Sequence, residues 1–125
     1  MAGETRESCA PVRNRVSTPA IQNLERLLGT PRDGALLRYS LGNEYLKLDD
    51  AAKAAAYFQA AVERDPQYSA AWKQLGHALL AIGRARAALD AWQRGIQVAE
   101  RRGDKQAAKE MTVFARRVQK QLESE

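Results

Sequence analysis

Three features of this 125-residue sequence predict an all-α fold of stacked helical hairpins. A pattern of large, small and glycine positions occurs twice between Ala35 and Arg102. Leu41 and Leu75, Gly42 and Gly76, Ala54 and Ala88, and Phe58 and Trp92 each stand 34 positions apart. Within each copy, apolar residues recur one helical turn apart, as in Leu41 with Tyr45 and Leu75 with Leu79. The composition is alanine-rich with only 6% aromatic residues, which suits closely packed helices.

Each copy reads as two antiparallel helices. Gly42 and Gly76 each cost a helix about 1 kcal/mol against alanine. They are expected where a second helix comes so close that a Cβ would clash. Ala54 and Ala88 fit that closest approach, with Phe58 and Trp92 filling the wider gap beside it. Asp65-Pro66 stops the first hairpin, because proline disfavours the helical conformation of the residue before it.

The order of residues carries a resemblance. Arg38, Leu41, Gly42, Tyr45, Ala54, Phe58, Ala61 and Pro66 are followed by Trp72, Leu75, Gly76, Leu79, Ala88, Trp92, Gly95 and Glu100. The pattern W-x-x-L-G-x-x-Y, then A-x-x-x-F, then P resembles the tetratricopeptide repeat (TPR). The resemblance implies an α-α superhelix with a right-handed stack, and repeats at 35–68 and 69–102. The second copy departs at Leu79, Gly95 and Glu100. The first two keep an apolar or small residue. The third lets the outer helix run on to about Arg102, where Gly103 ends it.

In chain order, residues 1–17 are polar and aperiodic and read as a disordered tail that holds Cys9. A domain follows over 18–125. Thr18-Pro19 opens a short flanking helix over 18–29, with a capping hydroxyl and proline at the first helical position. Its stripe is Ile21, Leu24, Leu27 and Leu28, closed by Gly29. The inner helix of the first repeat is expected from about Asp33 to Leu48. Asp49-Asp50 then caps an outer helix from Ala51 to Arg64. The second inner helix is expected from about Gln67 to Ile82, broken by Gly83, and its outer helix from about Ala85 to Arg102. Asp104 caps a last helix, over 104–123, with the stripe Ala108, Met111, Ala115, Val118 and Leu122. The flanking helices cover the open sides that two repeats leave.

Composition and motifs exclude several function classes. No apolar run is long enough for a transmembrane helix, and no apolar block near Met1 serves as a signal peptide. The lone Cys9 makes no internal disulfide, and a cytoplasmic location is the plain reading. The net charge of +5 concentrates on Arg84, Arg86, Arg94, Arg101 and Arg102. Those residues read as a solvated convex face, since stacking aromatics that would accompany a nucleic-acid footprint are missing. His77 and Cys9 have no partners at catalytic or metal-ligand spacing. The sequence therefore predicts no catalysis, no metal and no cofactor.

The resemblance implies that the inner helices line a concave groove for an extended peptide or a partner helix. The implied lining is Leu36, Tyr39, Asn43, Leu46 and Lys47, then Ala70, Lys73, His77, Leu80 and Ala81. Tyr39, Asn43, Lys47, Lys73, His77, Lys105 and Lys109 are the candidate partner-binding residues. The family's carboxylate-gripping set is matched only in part. Asn43 stands at one asparagine position, but Tyr39 replaces a lysine and Gln74 an asparagine. What remains is a mildly positive groove around Lys73, Lys105 and Lys109 that suits a protein or peptide with acidic residues. His77, if exposed, would titrate near its ordinary range. The expected partner is neither nucleic acid nor membrane, and the expected state is a monomer or weak homodimer. The other class is a structural subunit that self-associates through its flanking helices.

Overall fold

The computed structural model describes residues 17–125, which form six helices and, among the described residues, no strand. The predicted tail with Cys9 lies outside the described residues, apart from Ser17. The helices are α1 (Pro19–Glu25), α2 (Ala35–Lys47), α3 (Ala51–Arg64), α4 (Ser69–Ala81), α5 (Ala85–Arg102) and α6 (Lys105–Glu123). Each helix packs on the one before it in sequence, and α2, α4 and α6 also touch in turn along one side. None of them is long and apolar enough to cross a membrane.

Local chemistry sets the helix ends. Thr18 Oγ1 accepts from the Ile21 amide at 3.2 Å, and Asp50 and Asp104 do the same for Lys53 and Ala107. Asp104 also accepts from the Ser69 hydroxyl at 3.3 Å, tying the start of α6 to the start of α4. Gly103 ends α5 in the left-handed conformation, at φ 78°. Two inner helices begin two residues later than expected. Asp33 is not in α2 because its carboxylate takes the Gly29 amide at 2.9 Å and the Arg38 guanidinium at 3.1 and 2.9 Å. Those hydrogen bonds, the Arg38 one foremost, hold its carboxyl well below the ordinary range. Gln67 is outside α4 because its amide bonds Asp65 Oδ1 at 3.1 Å in the turn around Pro66.

The largest fully buried side chains are Trp92, Phe58, Ile21, Leu41, Leu75 and Met111. The glycine contacts correct the sequence expectation. The groups pressed against Gly42 and Gly76 are the rings of Phe58 and Trp92. A Cβ at Gly42 would lie 2.5 Å from the Phe58 ring, and one at Gly76 would clash with the Trp92 indole nitrogen. Ala54 and Ala88 are fully buried beside these contacts. Each indole also satisfies its N–H. Trp92 donates to the Lys73 carbonyl at 3.0 Å and Trp72 to the Pro66 carbonyl at 2.9 Å.

The flanking helix α1 is held by Glu25, which the sequence did not single out. Its Oε2 accepts from the Tyr45 hydroxyl at 2.9 Å and the Tyr57 hydroxyl at 3.3 Å. The two rings stack at 5.6 Å. Burial and then the Glu25 carboxylate push the Tyr45 hydroxyl up to about 12, so it remains a hydrogen-bond donor at neutral pH.

Candidate functional site

The inner helices α2, α4 and α6 lie side by side, and polar or aromatic pairs bridge each junction. Between α2 and α4, Gln74 Nε2 donates to Asn43 Oδ1 at 2.9 Å. Between α4 and α6, Lys73 Nζ meets Glu110 Oε1 at 2.9 Å. Glu110 is further held by Gln106, at 3.2 Å. The Lys73 ammonium and these hydrogen bonds lower the Glu110 carboxyl below its usual value. Deeper along the same junction, His77 meets Phe114 edge-on at 4.5 Å and Trp92 at 5.3 Å.

The junctions leave two concavities. One, of about 610 Å³, is lined by Ser40, Asn43, Glu44, Leu46, Lys47 and Gln74. The other, of about 190 Å³, is apolar at its base and lies between α4 and α6. His77, Leu80, Trp92 and Phe114 line it, with Arg117 and Gln121 at its side. Leu36 is 68% exposed and Leu80 37%, so both face solvent rather than the core.

The predicted residues have unequal environments. Tyr39 is half-buried between Phe58 at 5.8 Å and Tyr68 at 4.9 Å, and so packs the hairpin. Asn43, Lys73 and His77 come together with Gln74, Glu110 and Phe114. Lys47 is exposed and paired with Glu44 at 2.9 Å. Lys105 and Lys109 are exposed on α6, beside its buried stripe of Ala108, Met111, Ala115 and Val118. The positive charge of this face therefore sits on α6, while that of Lys73 is offset by Glu110. The sequence reading missed Glu110, Phe114, Arg117 and Gln121. They share one side of α6, at three- and four-residue spacing beside its apolar stripe. That spacing was the available signal.

His77 is half-buried, which changes its expected titration. Burial, and then the Lys73 ammonium, lower its pKa below 6.5, against a raising effect of Glu110. The folded state thus takes up the proton at lower pH than the unfolded state. Stability should fall as pH drops from about 6.5 towards the depressed folded value. We expect the urea midpoint to be lower at pH about 5.5 than at about 7.5, and His77→Gln to flatten that slope. An equal midpoint at the two pH values would contradict the burial of this ring.

Comparisons with known proteins agree with this architecture. Residues 9–119 match the family described as the bacterial transcriptional activator domain. The TPR repeat-containing protein PA0015 of Pseudomonas aeruginosa is 50% identical over 98 residues, covering 78% of this chain and 93% of the relative. The solution structure of protein BPP2914 from Bordetella parapertussis superposes with a TM-score of 0.71 at 37% identity, over 84% of this chain and 91% of that one. A tetratricopeptide repeat domain protein from Salinibacter ruber gives a TM-score of 0.64 at 33% identity, over 70% of this chain and 88% of its own.

Proposed function

The chain belongs to the tetratricopeptide-repeat family and, within that fold, to the bacterial transcriptional activator domain family, and from that premise we propose that it is a non-catalytic module that holds an extended peptide of a partner protein. The fold is one of protein-interaction modules generally, and the groove across α2, α4 and α6 is the seat of binding in this reading. A cytoplasmic location goes with it.

The observation that carries the reading is the Asn43–Gln74 pair. Their shared hydrogen bond uses Gln74 Nε2 and Asn43 Oδ1. It leaves the Asn43 amide protons and the Gln74 carbonyl without a hydrogen-bond partner among the described residues. One donor and one acceptor side by side match the N–H and C=O of a peptide bond. Fixing each amide through the other reduces the freedom lost on binding. Leu46, which lines the same concavity as the pair, offers apolar contact to a side chain of an extended ligand.

The test selects binding peptides by display on the whole chain and titrates one into isotope-labelled protein. Amide shifts should map to α2, α4 and α6. Asn43→Ala and Gln74→Ala should each weaken binding several-fold, as loss of a hydrogen bond of about 1 kcal/mol implies. The groove reading fails if the shifts fall on the exposed sides of α3 and α5, or if neither substitution changes affinity.

A further inference from the structure

We propose that the free side of α6 docks an acidic helix of a partner protein, laid alongside α6 as α6 lies alongside α4. This surface is the α6 edge of the groove, away from the Asn43–Gln74 pair, and the two are tested separately. The reasoning starts from a pair within the chain. Lys73 is the fifth residue of α4, and it bonds Glu110 of the next inner helix at 2.9 Å. Lys109 is the fifth residue of α6 and so occupies the same place in its helix. It is exposed and has no ion-pair partner among the described residues. The geometry that gives Lys73 an acid on the following helix is thus repeated at Lys109, with the acid to come from another molecule.

The surroundings extend this requirement. Lys105, Arg116 and Lys120 are exposed with Lys109. At about 100° per residue, the four cations and Val113 fall within about a quarter of the helix circumference. They run along about 22 Å of helix. No acidic residue interrupts them between Lys105 and Lys120, because Glu110 is turned to Lys73; Glu123 follows only at the end of α6. Val113, 48% exposed, lies midway along the stripe at its edge and suits one apolar residue of a facing helix.

Other occupants fit less well. A second copy would set this stripe against itself or against scattered acids, since among the described residues the exposed ones are Asp49, Glu63, Asp90, Glu100, Asp104, Glu123 and Glu125, and no helix carries more than two of them. Like charges across an interface oppose pairing. A membrane surface needs a broad apolar face, and that of α6 is committed to the core. A nucleic acid would find neither an aromatic ring nor a side-chain amide within the stripe to meet a base.

The experiment uses the full chain and a synthetic helical peptide with glutamates at three- and four-residue spacing on one face and a leucine at their centre. A second peptide of identical composition spreads the glutamates around the helix. The one-faced peptide should bind with shifts confined to α6 between Lys105 and Lys120, and more weakly as salt rises. The spread peptide should bind at least about tenfold more weakly, because its charges cannot all meet one stripe. Lys109→Glu combined with Arg116→Glu should reduce affinity for the one-faced peptide at least about tenfold, whereas Asn43→Ala should leave it unchanged. Equal binding of both peptides, tighter binding of duplex DNA or anionic vesicles, shifts centred on the α2–α4 groove, or no binding of the one-faced peptide would each overturn the proposal.

Discussion

Trp92→Ala is expected to lower unfolding stability by about 3–5 kcal/mol, a large part of the 5–15 kcal/mol of an ordinary domain. The indole of Trp92 is 1% exposed and does three jobs. It covers the backbone of α4 at Gly76, where no Cβ could fit. It donates a hydrogen bond to the Lys73 carbonyl at 3.0 Å. It also supports the groove from beneath, with His77 at 5.3 Å and Phe114 at 5.5 Å. Alanine would leave a void between two helices whose glycine cannot fill it. Trp92→Phe should cost less, because a ring remains and the main loss is a hydrogen bond of about 0.5–1.5 kcal/mol and some area. Urea denaturation gives both values. The His77 titration provides a second reading, since opening its surroundings should move its pKa back up towards 6.5. A Trp92→Ala loss no greater than that of exposed Gln93→Ala would refute this account of the hairpin.

The hairpins were legible in the sequence because their determinants are local and recur. Gly42 and Gly76, the aromatic residues facing them, the capping Asp50 and Asp104, and the terminating Gly103 each act within one hairpin or at its end. The fold class follows from them. The contacts that make the groove are less legible, because most of them join helices of different hairpins. Asn43 was singled out, but its bond to Gln74 depends on how two hairpins stack. Lys73 reads as a free cation until Glu110 is placed opposite it. Tyr39 reads as an anchor until Tyr68 and Phe58 close around it. The Glu25 contact with Tyr45 and Tyr57 has no periodic signature at all. The last inner helix also leaves the period. α2 and α4 begin 34 positions apart, at Ala35 and Ser69, but α6 begins at Lys105, two residues beyond that spacing. Extending α5 past Glu100, where the first repeat has proline, produces the shift. A reading that carries the repeat forward at constant period therefore misplaces Glu110, Phe114 and Arg117.

Gly95 leads to an expected result opposite to helix propensity. Gly95 stands where the first repeat has Ala61, and the sequence presents the two as equivalent small residues. They are not equivalent in the structure. Ala61 fits its site with no exposure. A Cβ at Gly95 would lie 2.5 Å from the Met111 sulfur and 2.7 Å from the Trp72 Cβ. Met111 is the seventh residue of α6, as Leu75 is of α4, and its longer unbranched side chain reaches α5 at Gly95. The thioether can move, but the Trp72 Cβ is fixed to the α4 backbone. Gly95→Ala would gain about 1 kcal/mol in an open helix. Here overpacking should outweigh that gain and give a net loss of about 1–3 kcal/mol. The strain falls on the seat of α6, so amide shifts should spread to Glu110 and Phe114 and the Lys73–Glu110 pair should loosen. Ala61→Gly supplies the contrast, since it should lose stability without disturbing α6. Urea midpoints and amide spectra of the two variants decide the matter. A Gly95→Ala protein more stable than the parent would show that α5 and α6 do not approach as closely as this contact requires.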